Sequence, residues 1–185
     1  MTSKPDFLAD LRGRIHQHAD QVQRVFLELD DAQLAWRPQP GEWNVLQCFD
    51  HLNLTHDYYA PKIAGGLAQR CPANPAADSD APSFWGRIYM HFSFNPKYSF
   101  PAPSAVVPAA DSLGRDVLRR YLAKQETLLK TLDAVAAINL CATTVPVEKF
   151  VRFNLGDCLK ILVYHDRLHI GQAERVLQTL QEKSA

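Results

Sequence analysis

Apolar residues return every three or four positions in four separate stretches of this chain, a spacing that fits one face of an α-helix and no strand. In residues 5–29 the stripe is Leu8, Leu11, Ile15, Ala19, Val22, Phe26 and Leu29, with Arg12, Arg14, Asp20, Gln21 and Arg24 on the solvated side. His16 is expected to be exposed and His18 to border the stripe. A second helix is expected from Asn44, whose side chain can cap the first turn while Gln47 reaches back to it. Its face is Val45, Phe49, Leu52, His56, Tyr59 and Ile63, and residues 62–69 carry it past Pro61. The third stretch, residues 112–137, buries Leu118, Tyr121, Leu122, Leu128, Leu129, Leu132 and Val135, with Gln125 interrupting the apolar run. The fourth starts at Asn154, with Asp157 as its capping partner, and runs to about Gln181.

The connecting segments are of different kinds. Residues 30–43 contain Pro38, Pro40 and Gly41 and are expected to be a turn-rich connector; residues 139–153 are expected to be irregular around Pro146. Residues 72–82 are polar and Pro-rich, a surface loop, and residues 95–108 carry four prolines, an extended crossover. Between them Ser83 can cap a short helix containing Phe84, Trp85, Ile88, Tyr89 and Phe92, whose aromatic cluster is expected to pack into the core, with a lid over a pocket as the alternative. The fold expected is all-α: a four-helix bundle with a long crossover and a short aromatic-rich helical insertion between helices 2 and 3, in one domain over residues 1–185.

Twenty basic and twenty acidic side chains cancel without any block of like charge, which argues against nucleic acid or a membrane surface and for a small neutral or mixed-charge partner. There is no apolar run of signal-peptide or membrane-spanning length, so a cytoplasmic protein is expected. Cys48, Cys71, Cys141 and Cys158 are widely spaced with no C-x-x-C and are read as free thiols.

The fourth helix carries something that core packing does not explain. His165, His169 and Gln172 lie together at helical spacing on a face that Leu162 and Val176 continue. Burying such groups without partners costs about 1–3 kcal/mol each. An H-x-x-x-H pair places two imidazoles one turn apart, within reach of one zinc-, nickel- or iron-sized ion. Alone the pair is weak, arising by chance in roughly one such sequence in five. His51 lies at the edge of the second helix's buried face; its spacing fits a boundary histidine bonded to water as well as a cleft residue, and His56 reads as a satisfied core histidine. Asp166 stands where H-E-x-x-H metalloproteases have their glutamate, but it is a methylene shorter and turned about 100° away from His165. No Glu-x-x-His motif accompanies these residues, which excludes a ferritin-like di-metal centre.

Together W-R-P at residues 36–38, G-E-W-N-V-L-Q-C-F-D-H-L at 41–52, K-Y-S-F-P-A-P at 97–103 and Y-H-D-R-L-H-I-G-Q at 164–172 resemble the DinB-like superfamily of small four-helix bundles, the DinB/YfiT-like candidate metalloenzymes. The resemblance extends over most of the chain. It implies one divalent metal ion, zinc or nickel first with iron or manganese as alternatives, held by His51, His165 and His169. Gln172, Asp50 and Asp166 are then supporting candidates around those ligands, and Tyr58 or Tyr59 could face the pocket. It names no catalytic residue. Activities implied are a metal-dependent transferase or hydrolase, including thiol-dependent S-transferases that use a low-molecular-weight thiol such as bacillithiol or mycothiol. The alternative is a non-catalytic metal-binding or partner-binding stress-response bundle, with residues 84–100 as an interface; a homodimer is compatible with either.

Overall fold

The computed structural model describes residues 3–69, 71–72, 81–94, 103–108 and 113–184. Four long helices form the bundle: α1 (Lys4–Gln21), α3 (Val45–Ala68), α5 (Asp116–Ala134) and α6 (Leu155–Ser184), with two short ones, α2 (Asp31–Ala35) and α4 (Phe84–Ser93). An antiparallel hairpin, β1 (Thr144–Glu148) and β2 (Val151–Asn154), precedes α6. Among the described residues no helix is long and apolar enough to cross a membrane.

α3 is the central helix, packed chiefly against α6 and α5. Its start is fixed by the expected box: Asn44 Oδ1 accepts from Gln47 N at 2.8 Å, and Gln47 Oε1 accepts from Asn44 N at 3.2 Å. Residues 45–53 are buried all round, so this half of the helix lies in the core with no solvated face. The helix continues through Pro61. α6 begins with the same device, Asp157 N donating to Asn154 Oδ1 at 2.7 Å.

Sequence and structure part company in the connectors. α1 gives way at Val22 to a π-helical turn ending at Phe26, where Leu27 N donates to Val22 O at 3.0 Å. Residues 30–43 are not merely turns: Asp30 and Gln33 make a reciprocal cap and α2 drives Leu34 fully into the core. Residues 144–154 form the hairpin because Val145 and Phe153, paired across it, both turn inward, an alternation that β-branched and aromatic side chains suit. The aromatic insertion is only half core. Tyr89, Met90 and Phe94 pack on the bundle, whereas Phe84, Trp85 and Phe92 are exposed. α4 is docked by Gly86, where an added Cβ would come within 2.3 Å of the Asp157 carboxylate, the same carboxylate that accepts from Ser83 N at 3.0 Å. α5 is shorter at both ends than the expected 112–137, and Ser112 itself lies outside the described residues. So do most of the expected loop at 72–82 and of the crossover at 95–108, including all but Pro103 of K-Y-S-F-P-A-P; the described part holds a 3-10 turn at Ser104–Val106.

Two apolar clusters fill the interior. One gathers Phe7, Leu11, Ile15, Tyr59, Leu128 and Val163; the other gathers Val22, Phe26, Leu52, Tyr121, Ile170 and Val176. Buried polar side chains from all four long helices meet around Asp166 of α6: His56 from α3 and Gln125 from α5 hydrogen-bond its carboxylate, and His18 from α1 lies near enough to feel its charge.

Candidate metal centre

His51 lies on the second turn of α3, and His165 and His169 lie one turn apart on α6 against it. The three ring centroids form a triangle with sides of 5.0, 4.4 and 4.5 Å. One nitrogen of each lies within 4.8 Å of the others, a group able to hold a metal ion.

What the nitrogens face decides what the triangle can bind. His51 Nδ1 donates to the Val106 carbonyl at 2.6 Å, which leaves the lone pair on Nε2. His169 Nδ1 donates to Gln172 Oε1 at 2.8 Å, with the same result. His165 Nε2 sits 3.3 Å from His51 Nε2. Ligands about 2.0–2.1 Å from a tetrahedral zinc lie about 3.3–3.4 Å apart, so that spacing fits such an ion. Burial holds all three imidazoles below their ordinary pKa: His51 is lowered, His169 falls to about 4, and His165 is lowered strongly, with the neighbouring His169 and His51 adding to the desolvation. At pH 7 they are neutral, the form that binds metal. No carboxylate belongs to the triangle.

Of the supporting residues expected, Gln172 is in place. Asp166 turns the other way, accepting from His56 Nε2 at 3.0 and 3.1 Å and from Gln125 Nε2 at 2.8 Å, as its rotation from His165 requires. His56 is thus a satisfied core histidine. Asp50 pairs with Arg120 on α5 at 3.3 Å. The Tyr58 hydroxyl donates to Glu148 and Val147 O on the hairpin, and buried Tyr59 neighbours Tyr89 of α4. Two contributors had no separate signal in the sequence. Trp43, half-buried, places its ring 5.0 Å from His51 and 6.0 Å from His169; in the sequence it is one residue of the 41–52 motif. The Val106 carbonyl is backbone, which any residue type supplies.

The fold and the site together define a helical bundle with a three-histidine group able to take a metal ion. The chain belongs to the DinB superfamily, whose sequence profile it matches over residues 14–173. Searches of curated proteins and of solved structures returned no match.

Proposed function

We propose that the protein is a metal-dependent enzyme in which His51, His165 and His169 hold one divalent ion, zinc or nickel before iron or manganese, and that it transfers a low-molecular-weight thiol to a small electrophile. The observation that carries this is the convergence of three neutral imidazoles, two with their tautomers fixed by Val106 O and Gln172, and no carboxylate among them. Three protein ligands are the number found in catalytic rather than closed structural zinc sites. A divalent ion there would supply Lewis acidity, lowering the pKa of a thiol at its remaining position.

The chain's own residues supply orientation and a dry wall. Val106 and Gln172 aim two of the rings, and the Trp43 indole covers the His51 side with apolar surface. The two fully buried thiols are poor nucleophiles, Cys48 being pushed up to about 12 and Cys158 also raised by burial, and the reacting thiol in this reading is the incoming one. Its proton passes to solvent, its sulfur bonds to the electrophilic carbon, and the leaving group departs with the bonding pair.

Metal analysis of purified protein should give about one ion per chain, lost in His51→Ala. Monobromobimane offered with a panel of thiols should be consumed, with release of bromide, at a rate that disappears in His165→Ala. A metal-free protein whose melting temperature ignores added zinc and nickel would refute the site; a loaded protein inert towards every thiol would refute the reaction. In that last case the second reading stands, a non-catalytic bundle that binds a partner or a second copy through exposed Phe84, Trp85 and Phe92.

A further inference from the structure

The triangle opens to the outside along α6: His51 is buried, whereas His165 and His169 are half-buried. Apolar residues flank that opening. Trp43, itself half-buried, has its ring 5.0 Å from that of His51 and 6.0 Å from that of His169. Val107 is bonded directly to the carbonyl that accepts from His51 Nδ1 at 2.6 Å, so its Cα is no more than about 5.5 Å from that nitrogen. Leu168 stands three positions after His165 and four before Gln172, spacings that bring helical Cβ atoms within about 5–6 Å of each other.

Exposure sets two of these residues apart. Six large apolar side chains are exposed among the described residues; four lie on α4 and in the hairpin turn, and the other two are Val107, 40% exposed, and Leu168, 43% exposed. Single apolar residues on a surface are ordinary. These two stand with Trp43 around one opening, and each histidine of the triangle has one of the three as a neighbour. The charged side chains that act on the triangle face other partners or lie further off. Asp50 pairs with Arg120 of α5, and Asp166 bonds His56 and Gln125. Arg175, whose charge reaches His169, is two turns beyond Leu168 on α6, about 10 Å along the helix axis. A charged body held at the opening would lie against apolar side chains, and moving an ion from water to such surroundings costs far more than moving an uncharged group.

We propose that Trp43, Val107 and Leu168 are specificity-determining residues that take the uncharged aryl or alkyl body of the ligand reaching the triangle. That this ligand is the electrophile rests on the thiol-transfer reading; that it is uncharged and apolar rests on the opening alone. In the reaction the thiol sulfur bonds to the ligand's carbon, the leaving group departs with the bonding pair, and the thiol proton goes to solvent. The apolar body has only to be held, and no charged group of the chain has to pair with it.

The test uses the full chain with and without zinc. Unreactive benzyl alcohol and 4-(hydroxymethyl)benzoate are titrated, and the signal is the part of the tryptophan emission change that Trp43→Phe abolishes. The alcohol should bind about tenfold tighter than the carboxylate. Leu168→Ser and Val107→Ser should each weaken the alcohol by about three- to tenfold, with melting temperature and zinc affinity near wild type, and Leu168→Lys should narrow the gap between the probes. The same order should appear in kcat/KM for benzyl bromide against 4-(bromomethyl)benzoate with 2-mercaptoethanol. A carboxylate bound as tightly as the alcohol, no Trp43-dependent change with either probe, or an alcohol affinity untouched by both serine variants overturns this inference, the first of these pointing to Arg175 instead. Wild-type protein that shows the expected probe pattern but transfers no thiol overturns the reaction and leaves the selectivity of the opening standing.

Discussion

A histidine triangle and a histidine–aspartate pair sit side by side between α3 and α6 and have opposite fates. In the triangle, His51, His165 and His169 point ring nitrogens at one another with no carboxylate among them. One step further into the bundle, His56 points its Nε2 at a fully buried aspartate. Residue type, helices and depth are nearly shared; the partner differs. A histidine facing a carboxylate completes its bonding within the protein, and the pair is part of the fold. Histidines whose lone pairs face one another leave that bonding incomplete until a cation or a hydrogen-bond donor enters between them. A buried histidine is therefore informative about function according to what its ring nitrogens meet.

If that contrast is right, removing each region should fail differently. The largest expected effect is Asp166→Ala, which strands the His56 and Gln125 donors in the core and should cost about 3–5 kcal/mol in denaturant unfolding, with or without metal. His165→Ala should cost the metal-free protein about 1–2 kcal/mol while abolishing metal uptake. Equal losses of metal-free stability in the two variants would break the comparison.

Acid comes next. The folded-state pKa values of the triangle lie below the unfolded value of about 6.5, so as pH falls below that point the unfolded chain takes up protons that the folded chain refuses. Metal-free stability should therefore decline from about pH 6.5 towards about pH 4, where His169 itself titrates. His18, lowered chiefly by burial, adds in the same direction. Melting curves between pH 4 and 7 should show this slope, and zinc, which keeps the triangle deprotonated in the folded state alone, should preserve or steepen it; a flat metal-free profile would contradict the burial argument. Smaller again is Gln172→Ala, which frees the His169 tautomer and should weaken zinc by about 10–100-fold, or about 1.4–2.7 kcal/mol, with little change in metal-free stability.

The helices and their starts were legible because they depend on local chemistry: 3.6-residue periodicity and the side-chain caps of Asn44 and Asn154 act within one turn. The same periodicity flagged Gln125 as an interruption without showing what it met, since Asp166 lies 41 residues away. The resemblance brought His51 to the pair on α6, which spacing alone left open. What the sequence could not show was direction. Asp50 and Asp166 sit beside histidines in the chain, but a one-residue step turns a helical side chain about 100°, and both carboxylates go to other partners. The hairpin is not legible in the sequence because Pro146, a residue that strands disfavour, obscures the inward pairing of Val145 with Phe153.

The smallest effect expected is the one that treats both regions alike. Asn44 caps the helix that carries His51 of the triangle and His56 of the buried pair, and its side chain also donates to Ala35 O at 3.3 Å, tying α3 to the end of α2. Asn44→Ala should cost about 1 kcal/mol, read as a lower denaturant midpoint at unchanged slope. Because the cap lies two turns from His51 and touches neither group's polar contacts, zinc affinity should stay within about twofold of wild type. A larger loss of affinity would mean that the triangle's geometry depends on the frame of α3 as a whole, and the triangle and the pair would then be less separable than their partners suggest.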